Sequence, residues 1–276
     1  IEEAEADVLD GQSQTLLGQR LRNLLTGEKR QGGGVELTLS ASMQQAAATA
    51  LGDRKGAVVA LDAKTGAILA LYSSPSFDPN ALASRDAGEV QDAYATLDAD
   101  PKNPMLNRTI SERYAPGSTF KVLTAIALIE NGIANPDTRM DSPVSTTLPG
   151  TNTEVSNIES STCGDGKPTL TEAFARSCNT TFVLASEKLT TQQLTDVTKR
   201  FGFGDEQEIP LTVIPSVFPS DADSAQLAMS SIGQYTVQAT PMQMAQVAQT
   251  IANGGQMMSP YLIKQIVDAD NQTIRK

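Results

Sequence analysis

Between Pro116-Gly117 and Asn131-Gly132 lies a stretch that only a protein interior can house. From 118 to 129 every residue is apolar except Ser118, Thr119, Lys121 and Thr124. Pro-Gly breaks the chain before it and Asn-Gly supplies a stop after it, so the stretch reads as one helix over 118–130. A helix apolar on nearly every face must be buried, yet this one carries a lysine in its first turn. The chain has 276 residues, 39% of them apolar, enough to build a sizeable core. Aromatic residues are only 4% and Trp is absent, so that core is mostly aliphatic. The lack of indole also argues against sugar recognition by ring stacking.

The sequence contains no histidine at all. That removes Ser-His-Asp and Cys-His catalysis, His-based metal sites and imidazole acid–base schemes. A nucleophilic enzyme of this composition needs another base, and a desolvated lysine can serve. The formal charge of -11 makes nucleic acid and anionic membranes poor partners. No segment reaches the roughly 18 apolar residues of a membrane span and no signal-peptide pattern is present. Residue 1 is Ile, so the start is read as processed or trimmed, compatible with a removed anchor. The two cysteines, Cys163 and Cys178, form no Cys-x-x-Cys motif. They read first as a disulfide and second as two unlinked buried thiols. A bridge would restrict the unfolded chain by about 3 kcal/mol.

Along the chain, Leu16, Leu17, Leu21, Leu24 and Leu25 have helical spacing, giving an amphipathic helix within 1–30 that reads as the tail of another domain. Gln31-Gly32-Gly33-Gly34 is a linker. A strand is expected over 35–39, and then a helix over 42–51 opened by a Ser42/Gln45 capping box. Two β-rich runs in 56–73 flank Asp62-Ala63-Lys64-Thr65-Gly66 as a hairpin. Residues 81–113 have no clear pattern, and 133–168 are read as mostly loop. A helix over 169–189 carries Ser177-Cys178-Asn179 near its middle and is liable to break there; another covers 191–201. Thr240-Pro241-Met242-Gln243 is a helix start, and 261–267 is a strand.

Chemistry concentrates at two places. Ser118 and Lys121 are the only Ser-x-x-Lys in the chain, and residues i and i+3 share a helix face. First-turn N–H groups and the helix dipole favour a developing alkoxide, while apolar surroundings favour a neutral, proton-accepting amine. Ser177-Cys178-Asn179 is the only Ser-x-Asn. Its hydroxyl can relay a proton to a leaving amine, and its carboxamide can hold a substrate amide and the lysine together.

In this order, Pro-Gly-Ser-Thr-Phe-Lys followed by Ser-Cys-Asn resembles the penicillin-recognising serine transferases. The hairpin 56–73, the segment 75–80, Asn107-Arg108, the stretch 114–121, Ser231-Ile232-Gly233-Gln234 and Thr240-Pro241-Met242-Gln243 are similar to class B penicillin-binding proteins in particular. A cysteine inside Ser-x-Asn is similar to the actinobacterial members. The resemblance covers roughly 35–270. It implies an α/β penicillin-binding transpeptidase (β-lactamase-like) fold: a mostly antiparallel sheet with helices on both sides, a helical subdomain, and a site between the two. Residues 1–34 are then a linker or remnant of an N-terminal domain, and 35–276 the transpeptidase domain.

The same resemblance implies a D,D-transpeptidase that cross-links peptidoglycan stem peptides in division or elongation. Ser118 is the nucleophile, Lys121 the base, Ser177 a proton relay and Asn179 the holder of the substrate amide. β-Lactams trap the acyl-enzyme; no metal or organic cofactor is implied. Expected partners are stem peptides, the lipid-linked precursor and a glycan-polymerising membrane protein, and the expected location is the extracytoplasmic face of the membrane, through an N-terminal anchor this chain lacks. A Cys163–Cys178 bridge would pin the Ser-x-Asn segment. The family's third motif, Lys-Thr/Ser-Gly, follows Ser-x-Asn; Lys64-Thr65-Gly66 precedes Ser118 and reads as a turn. The C-terminal strand with that motif is therefore expected to be missing, and this chain to be inactive alone. Rival readings are a D,D-carboxypeptidase or β-lactamase of the same superfamily, and a non-catalytic penicillin sensor or division scaffold.

Overall fold

The computed structural model describes residues 1, 3–13, 16, 24, 25, 27 and 32–275. The chain divides into two compact units: residues 1–112, 207–214 and 245–276 make the first, and 113–206 and 215–244 the second.

In the first unit, strand Gly34–Leu37 pairs antiparallel with Ile263–Val267, which pairs in turn with Thr273–Arg275. These are the strands expected at 35–39 and 261–267; Val35 lies opposite Ile266, which is fully buried. The expected hairpin forms from Gly56–Leu61 and Ile68–Ser74. Its second strand joins the run into Ile263–Val267, where Ile68 N–H donates to the Tyr261 carbonyl (3.0 Å). Helix Ala41–Leu51 is tied to the same strand because Gln44 imitates a neighbouring backbone. Its Nε2 donates to Leu71 O and its Oε1 accepts from Leu71 N–H, both at 2.9 Å. The cap of this helix is Ser40 rather than Ser42. Ser40 has the extended backbone a cap needs, whereas Ser42 is already inside the helix.

The Lys64-Thr65-Gly66 tripeptide is indeed a turn. Asp62 Oδ1 accepts from the N–H groups of Lys64 (3.0 Å) and Thr65 (2.8 Å), and Gly66 sits at φ +80°. A Cβ there would lie 2.4 Å from the Ser259 carbonyl, so only glycine fits. The stretch 81–113, polar and of mixed pattern, contains helix Ala87–Asp98, capped by Asp86, and the short helix Arg108–Ser111. Arg108 is wholly buried, donating to Lys102 O (2.6 Å) and Asn103 O (3.1 Å), with its Nε 3.2 Å from the Glu112 carboxylate.

Leu17 and Leu21 of the helix expected in 1–30 lie outside the described residues, while Leu24 and Leu25 are exposed. Helix Ala6–Leu9 is described there, with Val8 buried and its carbonyl accepting from Gly33 N–H. No described helix is long and apolar enough to cross a membrane.

The second unit is built around helix Lys121–Glu130, entered through a 3-10 turn, Gly117–Phe120. The single helix read from the sequence thus starts with a tighter turn. Phe120, Leu123, Ala127 and Leu128 are fully buried, as the apolar run required. Phe120 stacks on Phe218 and meets Phe203 edge-on, with centroids 5.8 and 5.9 Å apart. The helix expected over 169–189 is two, Leu170–Ala175 and Asn179–Ser186, broken where Ser177 takes φ +58°. Helices Thr191–Arg200 and Ser224–Ser230 complete this set. The stretch read as loop contains a small antiparallel ladder, Ser145–Thr147 with Glu154–Ser156; strands this short leave too few residues for alternation to be seen.

Helix Pro241–Ala252 starts where Thr240 predicted, and Thr240 Oγ1 accepts from Gln243 N–H (3.1 Å). The reciprocal half of the box is not made. Gln243 Nε2 donates instead to Phe201 O (2.6 Å), and Thr240 N–H to Ser216 Oγ.

Candidate active site

The site lies within the second unit. Gly117, at φ +55°, bends the chain into the 3-10 turn, and its N–H donates to the Gly233 carbonyl (2.9 Å). Gly233 itself has φ +72°, and a Cβ on it would fall 2.1 Å from Gly117 O. The two backbones approach so closely that residue 233 has to be glycine. One turn further in, Thr124 Oγ1 donates to Ser231 O (2.7 Å). The Ser231-Ile232-Gly233 segment therefore clamps both the turn that carries Ser118 and the first full turn after it. The turn leaves Ser118 exposed at the start of an otherwise buried helix, where first-turn N–H groups lack intrahelical acceptors.

Lys121 is 1% exposed. Its Nζ donates to Ser177 O (2.7 Å) and Asn179 Oδ1 (2.7 Å) and lies 3.1 Å from Ser177 Oγ. The Phe182 ring sits beneath it, its centroid 5.6 Å away. Burial pushes the amine down to about 8 from its usual 10.5, because the charged form loses hydration. A neutral amine has two N–H donors and one lone pair. The two carbonyl-type oxygens take the donors, leaving the lone pair to face a hydroxyl. Among the described residues, Ser118 Oγ is not a partner of Lys121, so the contact expected from i, i+3 spacing is not made in this state. Catalytic hydrogen bonds often tighten only when substrate is present.

The Ser-x-Asn segment owes its shape to a helix ending and another beginning within three residues. Ser177 N–H and Cys178 N–H turn back to Phe174 O (3.1 Å) and Ala173 O (2.9 Å), placing Ser177 in the left-handed region where glycine is usual. That conformation delivers both the carbonyl and the hydroxyl of Ser177 to Lys121. Strain of about 1 kcal/mol at a non-glycine residue here is what one expects where function dictates the backbone. Asn179 opens the next helix, with Nδ2 donating to Ser156 O (3.0 Å) and Oδ1 accepting from Lys121. The carboxamide orientation is thus set from both ends. Cys178 and Cys163 are joined as a disulfide with Cα atoms 5.9 Å apart.

The structure thus gathers Lys121, Ser177 and Asn179 into one hydrogen-bonded cluster and sets Ser118 in the turn directly ahead of Lys121. Sequence reasoning did not assign roles to Ser156, Asn157, Ser231 or Gly233, which hold these groups. Only the Ser-Ile-Gly-Gln string hinted at the last two. Among the described residues no group of His, Cys, Asp and Glu could hold a metal ion.

The penicillin binding protein transpeptidase domain matches residues 56–276. The chain belongs to the penicillin-binding protein transpeptidase family. Its relatives include the peptidoglycan D,D-transpeptidase PbpA of Mycolicibacterium smegmatis, 45% identical over 99% of this chain and 57% of that protein. The imipenem acyl-enzyme structure of penicillin-binding protein A from M. tuberculosis superposes with a TM-score of 0.95 at 40% identity. It covers 100% of this chain and 65% of that one. The D,D-transpeptidase domain of a peptidoglycan glycosyltransferase from Eggerthella lenta gives 0.82 at 32% identity over 99% of this chain and 63% of that one. The chain spans less than two thirds of the length of each relative. The α/β penicillin-binding transpeptidase fold expected from the motifs is the fold these matches share.

Proposed function

We propose that residues 35–276 carry the acylation machinery of a peptidoglycan D,D-transpeptidase, with 1–34 as the segment leading into it. Ser118 Oγ attacks the carbonyl carbon between the two terminal D-alanines of a stem peptide while Lys121 Nζ accepts its proton. The oxyanion forms against first-turn N–H groups, that of Ser118 among them. When the tetrahedral adduct collapses, the C–N bond breaks and Ser177 passes a proton from Lys121 to the departing D-alanine amine. Asn179 holds the substrate amide and keeps Lys121 in place. The amine of a second stem peptide then attacks the Ser118 ester, forming the cross-link and returning the proton to Ser118. A β-lactam enters the same path as donor mimic and stops at the ester.

The observation that carries this reading is the buried Lys121 amine, lowered to about 8, lying within 3.1 Å of Ser177 Oγ and 2.7 Å of Asn179 Oδ1. A desolvated lysine beside two hydroxyl-bearing segments is the base a histidine-free acyl-transferase requires. The Cys163–Cys178 disulfide suits an oxidising, extracytoplasmic compartment. We place the protein at the outer face of the membrane, with a glycan-polymerising partner supplying new strands from lipid-linked precursor.

The test is intact mass after incubation with penicillin, followed by peptide mapping, on the protein carrying the family's C-terminal Lys-Thr/Ser-Gly strand. One long-lived adduct on Ser118, absent in Ser118→Ala, supports the reading. An adduct that hydrolyses within seconds would favour a β-lactamase, and stem-peptide binding without any adduct would favour a sensor or scaffold.

A further inference from the structure

Helix Asn179–Ser186 begins without a cap of its own. Its N-cap residue is Cys178, which makes no side-chain capping bond and whose sulfur is committed to Cys163. An uncapped start leaves first-turn N–H groups in need of acceptors. Here the acceptor comes from 23 residues upstream: Asn157 Oδ1 takes the N–H of Thr180 at 3.0 Å and also lies 3.2 Å from Thr180 Oγ1. Asn157 is 7% exposed, and its Nδ2 donates to Pro143 O (3.0 Å) and Ser161 O (3.1 Å), with Ser142 Oγ at 3.4 Å. Thr180 Oγ1 donates onward to Pro143 O (2.9 Å). The neighbouring Ser156 carbonyl accepts the Asn179 carboxamide. Two consecutive residues, 156 and 157, thus grip Asn179 at its side chain and its helix at the next backbone N–H.

We propose that Asn157 is a positioning residue for acyl transfer, a cap supplied from a distant segment that sets where Asn179 and Ser177 meet Lys121. It acts through the helix start and touches no reacting atom. If the helix start shifts, Asn179 Oδ1 leaves Lys121 Nζ, and Ser177, three residues before Thr180, moves with it. The inference rests on the acylation chemistry proposed above.

The experiment measures the second-order rate of acylation by penicillin and the melting temperature for that same strand-complete protein and two variants. Asn157→Leu keeps the size and loses the acceptor. Asn157→Asp keeps the acceptor but turns an oxygen toward the Pro143 and Ser161 carbonyls. The expected result is a fall of 10- to 100-fold in acylation for Asn157→Leu, the order of loss a small misplacement produces. Asn157→Asp is expected to stay within about threefold of the parent although it melts lower. A purely structural role would make rate follow stability. Acylation of Asn157→Leu at the parent rate, or of folded Asn157→Asp as slowly as Asn157→Leu, overturns the proposal. Should Asn157→Leu not fold, Asn157→Asp decides: acylation within about threefold of the parent despite a lower melting temperature supports the proposal, and a loss of about 10-fold or more overturns it. A parent chain that takes no adduct on Ser118 defeats the acylation reading itself and this inference with it, a failure distinct from a labelled parent with indifferent variants.

Discussion

Within the second unit, helices begin in two different ways. Those starting at Leu170, Thr191 and Ser224 each open on a complete capping box: Thr169 with Glu172, Thr190 with Gln193, and Asp223 with Gln226. Those carrying the proposed chemistry have none. The turn at Gly117–Phe120 and the helix at Asn179 lack any side-chain cap of their own and are held by Gly233 O and Asn157 Oδ1, each far away in sequence. A locally capped start is stable by itself but has its free N–H groups covered by its own side chains. A start held from elsewhere keeps its entry open for a substrate and depends on the fold for its geometry.

The contrast breaks most severely at the lysine. Lys121→Met should slow acylation on the order of 10³-fold, by loss of the general base, while the melting temperature holds or rises because a desolvated amine has been removed. In the parent, acylation should climb as pH passes through about 8 and Lys121 loses its proton. Stability should follow the same direction. The folded amine titrates near 8 and the unfolded one near 10.5, so between those values the unfolded chain binds more protons and stability rises with pH. A flat rate profile across pH 7 to 9 would remove Lys121 from the role of base.

Gly233→Ala tests the remote clamp. Its Cβ would collide with Gly117 O, so we expect about 100-fold slower acylation and about 2–4 kcal/mol lower stability by denaturant titration. Ser177→Gly separates geometry from chemistry. It relaxes the left-handed backbone and should stabilise by up to about 1 kcal/mol, yet acylation should drop by about 100-fold with the hydroxyl gone. Smallest is Thr190→Ala, which removes a local cap. It should cost about 1 kcal/mol and leave the acylation rate unchanged; a slower rate would mean that the two kinds of helix start are not independent.

The same contrast explains what was legible beforehand. The hairpin at Gly56–Leu61 and Ile68–Ser74, the burial of helix Lys121–Glu130, the helix start at Thr240 and the turn role of Lys64-Thr65-Gly66 all rest on short-range patterns. Ser118, Lys121, Ser177 and Asn179 were candidates because two short motifs of local spacing resemble those of a known family, and the roles proposed for them rest on that resemblance. The grip of Asn157 on Thr180 spans 23 residues, and that of Ser231 on Thr124 spans 107; neither leaves a periodic trace. Ser40 displaced Ser42 as cap because two hydroxyl residues with one alanine between them look alike until the backbone chooses between them. Gln243 had capping-box spacing, but a buried carbonyl at Phe201 claimed its amide.

Ser177 reaches Lys121 twice, once through its hydroxyl and once through its main chain. A mutational map of this protein would record only the first. Replacing the side chain leaves the carbonyl in place, still accepting from the amine, so a tolerance score at 177 would understate what the residue does. The concealed half resides in a dihedral angle, and only replacements that forbid positive φ reach it. An inhibitor or antibody that reads the protein by its side chains would be equally blind to that contact, while a change that swings the peptide plane would erase it without altering a single letter of the motif.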